Sequence, residues 1–76
     1  MKRYSLTACV VREGDGYVAL CPELDIASQG ATSEEANANL KEAVDLFLEC
    51  ASASEIEQRL NTEVLVTHFE ATCAKA

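Results

Sequence analysis

Residues 32–51 read Thr32-Ser33-Glu34-Glu35-Ala36-Asn37-Ala38-Asn39-Leu40-Lys41-Glu42-Ala43-Val44-Asp45-Leu46-Phe47-Leu48-Glu49-Cys50-Ala51, and this stretch decides the fold. It opens with a capping box. The Thr32 hydroxyl can accept from the Glu35 amide, while the Glu35 carboxylate reaches back to the amide of Thr32. Behind the box, Ala36, Leu40, Ala43, Val44, Phe47, Leu48 and Ala51 recur at intervals of three and four. At 100° per residue they fill an arc of about 140°, enough for a helix that turns one face to a core. The pattern predicts a helix over residues 33–52, roughly 30 Å long at 1.5 Å per residue. Ser54-Glu55-Ile56-Glu57 repeats the capping signature and predicts a short helical turn through Leu60.

On either side of the helices the period changes to two. Tyr4, Leu6, Ala8 and Val10 alternate with Ser5, Thr7, Cys9 and Val11, so residues 3–12 read as a strand that is fairly apolar on both faces. Glu13-Gly14-Asp15-Gly16 is turn chemistry, and residues 17–21 return as the second strand of a hairpin. Pro22 has no amide hydrogen and ends the pairing. After Glu23-Leu24-Asp25 a third short strand, Ile26–Ser28, stops at Gly30. Residues 63–73 alternate once more, with Val64, Val66 and His68 on one face and Leu65, Phe69 and Ala71 on the other. The expected architecture is α+β: a small β-β-β-α-β domain with a short second helix before its last strand. One main helix covers one face of an antiparallel sheet. With no repeat, linker or low-complexity tract, residues 1–76 form a single domain.

A single helix leaves the other sheet face bare. That face still carries apolar residues, because Val10 and Val11 point opposite ways, as do Val64 and Leu65. Leu46 also sits about 60° outside the helix's apolar arc, beside Glu35 and Glu42. Contiguous apolar surface of this kind marks an interaction site. A homo-oligomer, a two-fold dimer or a higher assembly, is the default expectation. In the alternative, a monomer hides these residues through sheet twist and its chain ends.

The chain has 76 residues, with 49% hydrophobic and 25% charged, the balance of a folded domain. Thirteen acidic residues against six basic ones give a net charge of −7. Such a chain lacks the Lys and Arg needed to displace phosphate counterions, so it is not expected to bind nucleic acid directly. Anionic membranes repel it too. A basic macromolecule is the natural partner. The charge concentrates in residues 31–60, where seven carboxylates oppose Lys41 and Arg59. Glu35, Glu42, Glu49 and Asp45 fall on the solvent side of the helix. A face like this either serves solubility or steers a basic partner, raising association rates more than final affinity. The candidate partner contacts are Glu35, Glu42 and Glu49 there, with Glu23 and Asp25 after the second strand.

Lys2 and Arg3 before Leu6-Thr7-Ala8-Cys9 imitate a lipoprotein signal, but the apolar run of about 7–15 residues that a signal needs is missing. The expected location is the cytoplasm. There the four cysteines, Cys9, Cys21, Cys50 and Cys73, are expected to be reduced, small buried hydrophobes. No Cys-x-x-Cys pair occurs and His68 is the single imidazole, so no metal or cofactor is expected. The carboxylates nearest the strands are Glu13, Asp15, Glu23, Asp25 and Glu70, and nothing in their spacing brings three together for two-metal chemistry. Nor does a Cys or Ser with His68 supply the third group that nucleophilic catalysis needs. The chain is not expected to be an enzyme.

Across residues 17–48 the chain resembles the HicB-like antitoxin domain. The likeness rests on Tyr17-Val18-Ala19, Pro22-Glu23-Leu24, Ser28-Gln29-Gly30, Thr32, Glu34-Glu35-Ala36, Asn39, Lys41-Glu42-Ala43 and Phe47-Leu48-Glu49. It implies a partial RNase H-like fold and a role in binding and inhibiting a HicA toxin, a small basic mRNA-cleaving protein with a catalytic His; the alternative is a stand-alone oligomeric HicB-like module without a toxin partner. Family antitoxins often add a C-terminal DNA-binding segment, whereas here Ala76 follows directly on the last predicted strand. Tyr17, Pro22, Gly30, Thr32, Glu35 and Ala36 are architectural in this scheme: Gly30 gives a backbone shape that a side chain would obstruct, and Thr32 with Glu35 fixes the helix start.

Overall fold

The hairpin turn is the tightest available. In a computed structural model, which describes residues 3–75, strand β1 (Cys9–Glu13) and strand β2 (Gly16–Cys21) are antiparallel, with Glu13 opposite Gly16. Gly14-Asp15 forms the loop, and Gly14 has φ +60°. A positive φ at the first central residue is the requirement of a type II′ turn, whose twist matches that of the flanking strands. Strand β3 (Ile26–Gly30) pairs antiparallel with β2, with Cys21 opposite Ile26 and Tyr17 opposite Gly30. The sheet order is β1-β2-β3. Between β2 and β3 the chain reverses through Pro22–Asp25, and Asp25 takes φ +55°, a left-handed conformation that Asp and Asn tolerate best among residues with a side chain.

Helix α1 (Ser33–Cys50) follows β3 after two residues. The Thr32 hydroxyl accepts from the Glu35 amide at 3.0 Å. The Glu35 carboxylate does return toward the chain before the helix, but it accepts from the Ala31 amide at 2.9 Å and not from that of Thr32. Gly30 makes the close approach of sheet and helix possible. A Cβ there would lie 2.6 Å from the Ala36 nitrogen and 2.9 Å from the Glu35 carbonyl carbon. Ala36, opposite it, is fully buried. Asn39 adds a stitch, donating Nδ2 to the Gln29 carbonyl at 2.8 Å.

Residues paired across a sheet share a face. Tyr17, Ala19 and Cys21 of β2, Ile26 of β3 and Val10 of β1 therefore point one way, and Cys9, Val11, Val18, Leu20, Ala27 and Gln29 the other. α1 covers the first set. Its Ala36, Leu40 and Val44 close a core with Ala19, Cys21 and Leu24, and Leu6, Tyr17, Ile26, Phe47, Leu48 and Leu60 pack around it. Burying a leucine as completely as Leu24 stabilises the fold by about 1.5–3 kcal/mol relative to leaving it in water. α1 lies chiefly over β3 and β2 and reaches β1 little. All five residues of β1 are exposed.

Helix α2 (Ala53–Leu60) docks through Ile56. Its cap is Ser52, which accepts from the Glu55 amide at 3.1 Å, two residues before the Ser54 expected from the sequence. Ala51, in extended conformation, separates the helices.

Two strands depart from expectation. β1 begins at Cys9 and not at residue 3. Continuing its register would set Thr7 against Pro22, which has no amide hydrogen to offer; the Thr7 amide turns to the Glu23 carboxylate at 3.0 Å. Among the described residues the last strand does not form. Residues 63–73 carry no strand pairing and are exposed, apart from the half-buried Val64. The cysteines also differ from expectation. Cys21 is buried, but Cys9, Cys50 and Cys73 are exposed free thiols.

Candidate functional site

The helix period sorts the carboxylates. Glu35, Glu42 and Glu49 are spaced by seven, which returns to nearly the same side of a helix with a drift of about 20° per step. All three are exposed on α1, as is Asp45, and at 1.5 Å per residue the row runs for roughly 21 Å. Leu46 stands on the same side and is 61% exposed. An exposed apolar side chain thus flanks a line of negative charge. Glu34 and Glu35 occupy the first turn and no basic residue the last, so the partial negative charge at the C-terminal end of the helix adds to Glu49. The Glu35 carboxylate is shared between this row and the helix cap.

Glu23 and Asp25 do not join the row. Glu23 is a clasp: its Oε2 accepts from the Thr7 hydroxyl at 2.6 Å, and its Oε1 from the Thr7 amide and, at 3.6 Å, from the Cys21 thiol. Partial burial pushes the Glu23 carboxyl up, but the Thr7 hydroxyl and amide outweigh it and leave the pKa lowered. Burial pushes the Cys21 thiol up, which keeps it protonated and able to donate. Asp25 is exposed at its left-handed turn. Pro22 closes the β2 end of the sheet, Tyr17 packs against the core, and Gly30, Thr32 and Ala36 set α1 on the sheet.

Arg59 is the residue that sequence reasoning missed. Its guanidinium donates to the Leu24 carbonyl, lies 4.7 Å from the centroid of the Phe47 ring and approaches Glu55 to 3.8 Å. It ties α2 both to α1 and to the β2–β3 loop. The available signal was its spacing of four from Glu55, next to the apolar pair Ile56 and Leu60. Asn37 offers a second unexpected feature: its Oδ1 is buried with no hydrogen-bond partner. It lines a groove with Tyr4, Leu6, Leu40 and Val44, between residues 4–8 and α1.

Among the described residues, no three His, Cys, Asp or Glu side chains are placed to hold a metal ion. Within the same residues, no helix is long and apolar enough to cross a membrane. The two prominent surfaces are thus the acidic row with Leu46, and the bare sheet face with its open β1 edge. Compared with known proteins, the chain matches no family model, no curated protein and no solved structure.

Proposed function

We propose that the chain is a non-catalytic binding domain of the HicB-like antitoxin kind, which captures a small basic RNA-cleaving protein in the cytoplasm and covers its RNA-binding surface. The observation that carries this reading is the row Glu35, Glu42 and Glu49, with Asp45 on one flank and the exposed Leu46 on the other, on a helix without a basic residue in its last turn. A protein that holds RNA does so through clustered Lys and Arg. An acidic helix of similar reach competes for those cations and excludes the phosphates. Leu46 supplies an apolar anchor of the sort that sits at the centre of an interface inside a polar rim. On this reading Glu23 and Asp25 hold the loop and leave contact with the partner to α1. A partial RNase H-like fold belongs to the same proposal, supported by the hairpin, third strand and helix in that order.

The test mixes the protein with a basic RNA-cleaving partner and follows RNA cleavage and association rate. Excess protein stops cleavage. Glu42→Lys with Glu49→Lys slows association about tenfold or more at low ionic strength, and the difference shrinks as salt screens it. Cleavage that continues with this protein in excess removes the reading. An association rate unmoved by the double reversal at low salt reduces the row to a solvated surface.

The exposed apolar residues outside α1 favour a second property, self-association, which a stand-alone oligomeric module would share.

A further inference from the structure

The accessible surface is too large for a closed monomer. The chain exposes 6296 Å², against roughly 4,500 Å² expected for a compact protein of 8.2 kDa. Its radius of gyration is 15.1 Å, where about 11 Å fits a compact chain of this length. The longest dimension is 50 Å and the shortest 16 Å. Much of this excess belongs to residues 63–73, where Leu65 is 74% exposed, Val66 56% and Phe69 88%.

These residues alternate as a strand does, with apolar side chains on both faces: Val64 and Val66 on one, Leu65 and Phe69 on the other. A strand of that composition is suited to lie within a sheet, covered on both sides. β1 has the complementary defect. It is an edge strand, wholly exposed, with Val10 on its inner face and Cys9 and Val11 on its outer face. At the opposite edge of the sheet, the Gln29 carbonyl of β3 is already taken by the Asn39 side chain. Among the described residues, the segment pairs with no strand, and β1 pairs with β2 on one side alone.

We infer that residues 63–71 of one copy pair along the free edge of β1 in a second copy, and that the exchange is reciprocal about a two-fold axis. Each copy then completes a four-stranded sheet with a strand lent by its partner. Leu65, Val66 and Phe69 leave water beside Val10 and Val11. The excess surface of roughly 1,800 Å² per chain is ample for the ~800 Å² per partner that a stable interface buries. Pairing of two β1 edges with each other would leave residues 63–71 bare, whereas strand exchange satisfies both elements at once. The inference does not depend on the acidic row or on any toxin.

The experiment uses the full chain. Sedimentation over a hundredfold concentration range shows twice the monomer mass at the top of the range and dissociation on dilution. In a mixture of isotope-labelled and unlabelled chains, contacts between Val66–Phe69 and Val10–Arg12 join labelled to unlabelled chains. Phe69→Asp, at a site 88% exposed within its own chain, weakens the dimer at least tenfold and leaves the helical circular dichroism signal intact. Leu46→Asp, on the far side of α1, leaves the dimer unchanged. The inference is overturned by a monomer at every concentration, by contacts of residues 63–71 with β1 confined to a single chain, or by a dimer that is indifferent to Phe69→Asp.

Discussion

Leu24 and Leu65 are the same residue with opposite fates. Leu24 sits in an irregular loop and is fully buried; Leu65 sits in a strand-like run and is 74% exposed. What separates them is the supply of neighbours. Around Leu24 the chain has placed α1, α2, the Thr7–Glu23 clasp and the Arg59 guanidinium. Residues 63–73 have the correct alternation but, among the described residues, pair with no strand and are exposed except for the half-buried Val64. A well-formed local pattern does not bury a side chain; only a second element at the correct distance does.

The sharpest test makes the same substitution at both sites. Leu24→Ala should cost about 2–5 kcal/mol in unfolding free energy, a large share of the roughly 5 kcal/mol that a domain this small has to spare. Chemical denaturation measures it, and a cost below ~1 kcal/mol would show that the loop is not part of the core. Of intermediate size is the clasp. Because the Glu23 carboxyl has a lower pKa in the folded chain than in the unfolded one, acid favours the unfolded state, which binds the proton more readily. The stabilisation is complete above about pH 4.5 and is lost as the pH falls through the lowered folded value. Thr7→Val, which removes the hydroxyl donor, should therefore cost about 1 kcal/mol at neutral pH. The two stability curves should converge in acid; coincident curves at neutral pH would mean that the bond contributes nothing, and a constant offset down to pH 3 that its contribution does not depend on the Glu23 charge. Smallest of all is Leu65→Ala. Under dilution to the monomer it should change unfolding by no more than ~0.5 kcal/mol, while at high concentration its effect grows with the dimer population. A loss near that of Leu24→Ala in the dilute monomer would erase the contrast.

The limits of sequence reading follow the same line. Thr32 and Glu35 announced the start of α1 because a cap is made within one turn, and Gly14-Asp15 announced the hairpin because a turn type depends on two residues. Glu35, Glu42 and Glu49 were legible as one row because the helix period is fixed. The Thr7–Glu23 clasp spans 16 positions and the Arg59–Leu24 bond 35, and neither leaves a local trace. The early end of β1 was legible in part: Pro22 signalled a stop, but its effect on Thr7 required the register. The alternation in 63–73 reported a capacity for pairing. It could not report the neighbour, which in a strand is always another segment.

The position of α1 over β2 and β3 has a consequence for stoichiometry. The carboxylate row points away from the sheet, and the open edge lies along β1, where the helix hardly reaches. Occupying one therefore leaves the other free. Under the proposed pairing through β1, a two-fold pair would display two rows and, under the proposed function, would hold two cationic guests. If those guests are themselves linked, as subunits of one body or sites on one polymer, the second capture becomes intramolecular and retention rises without any new contact.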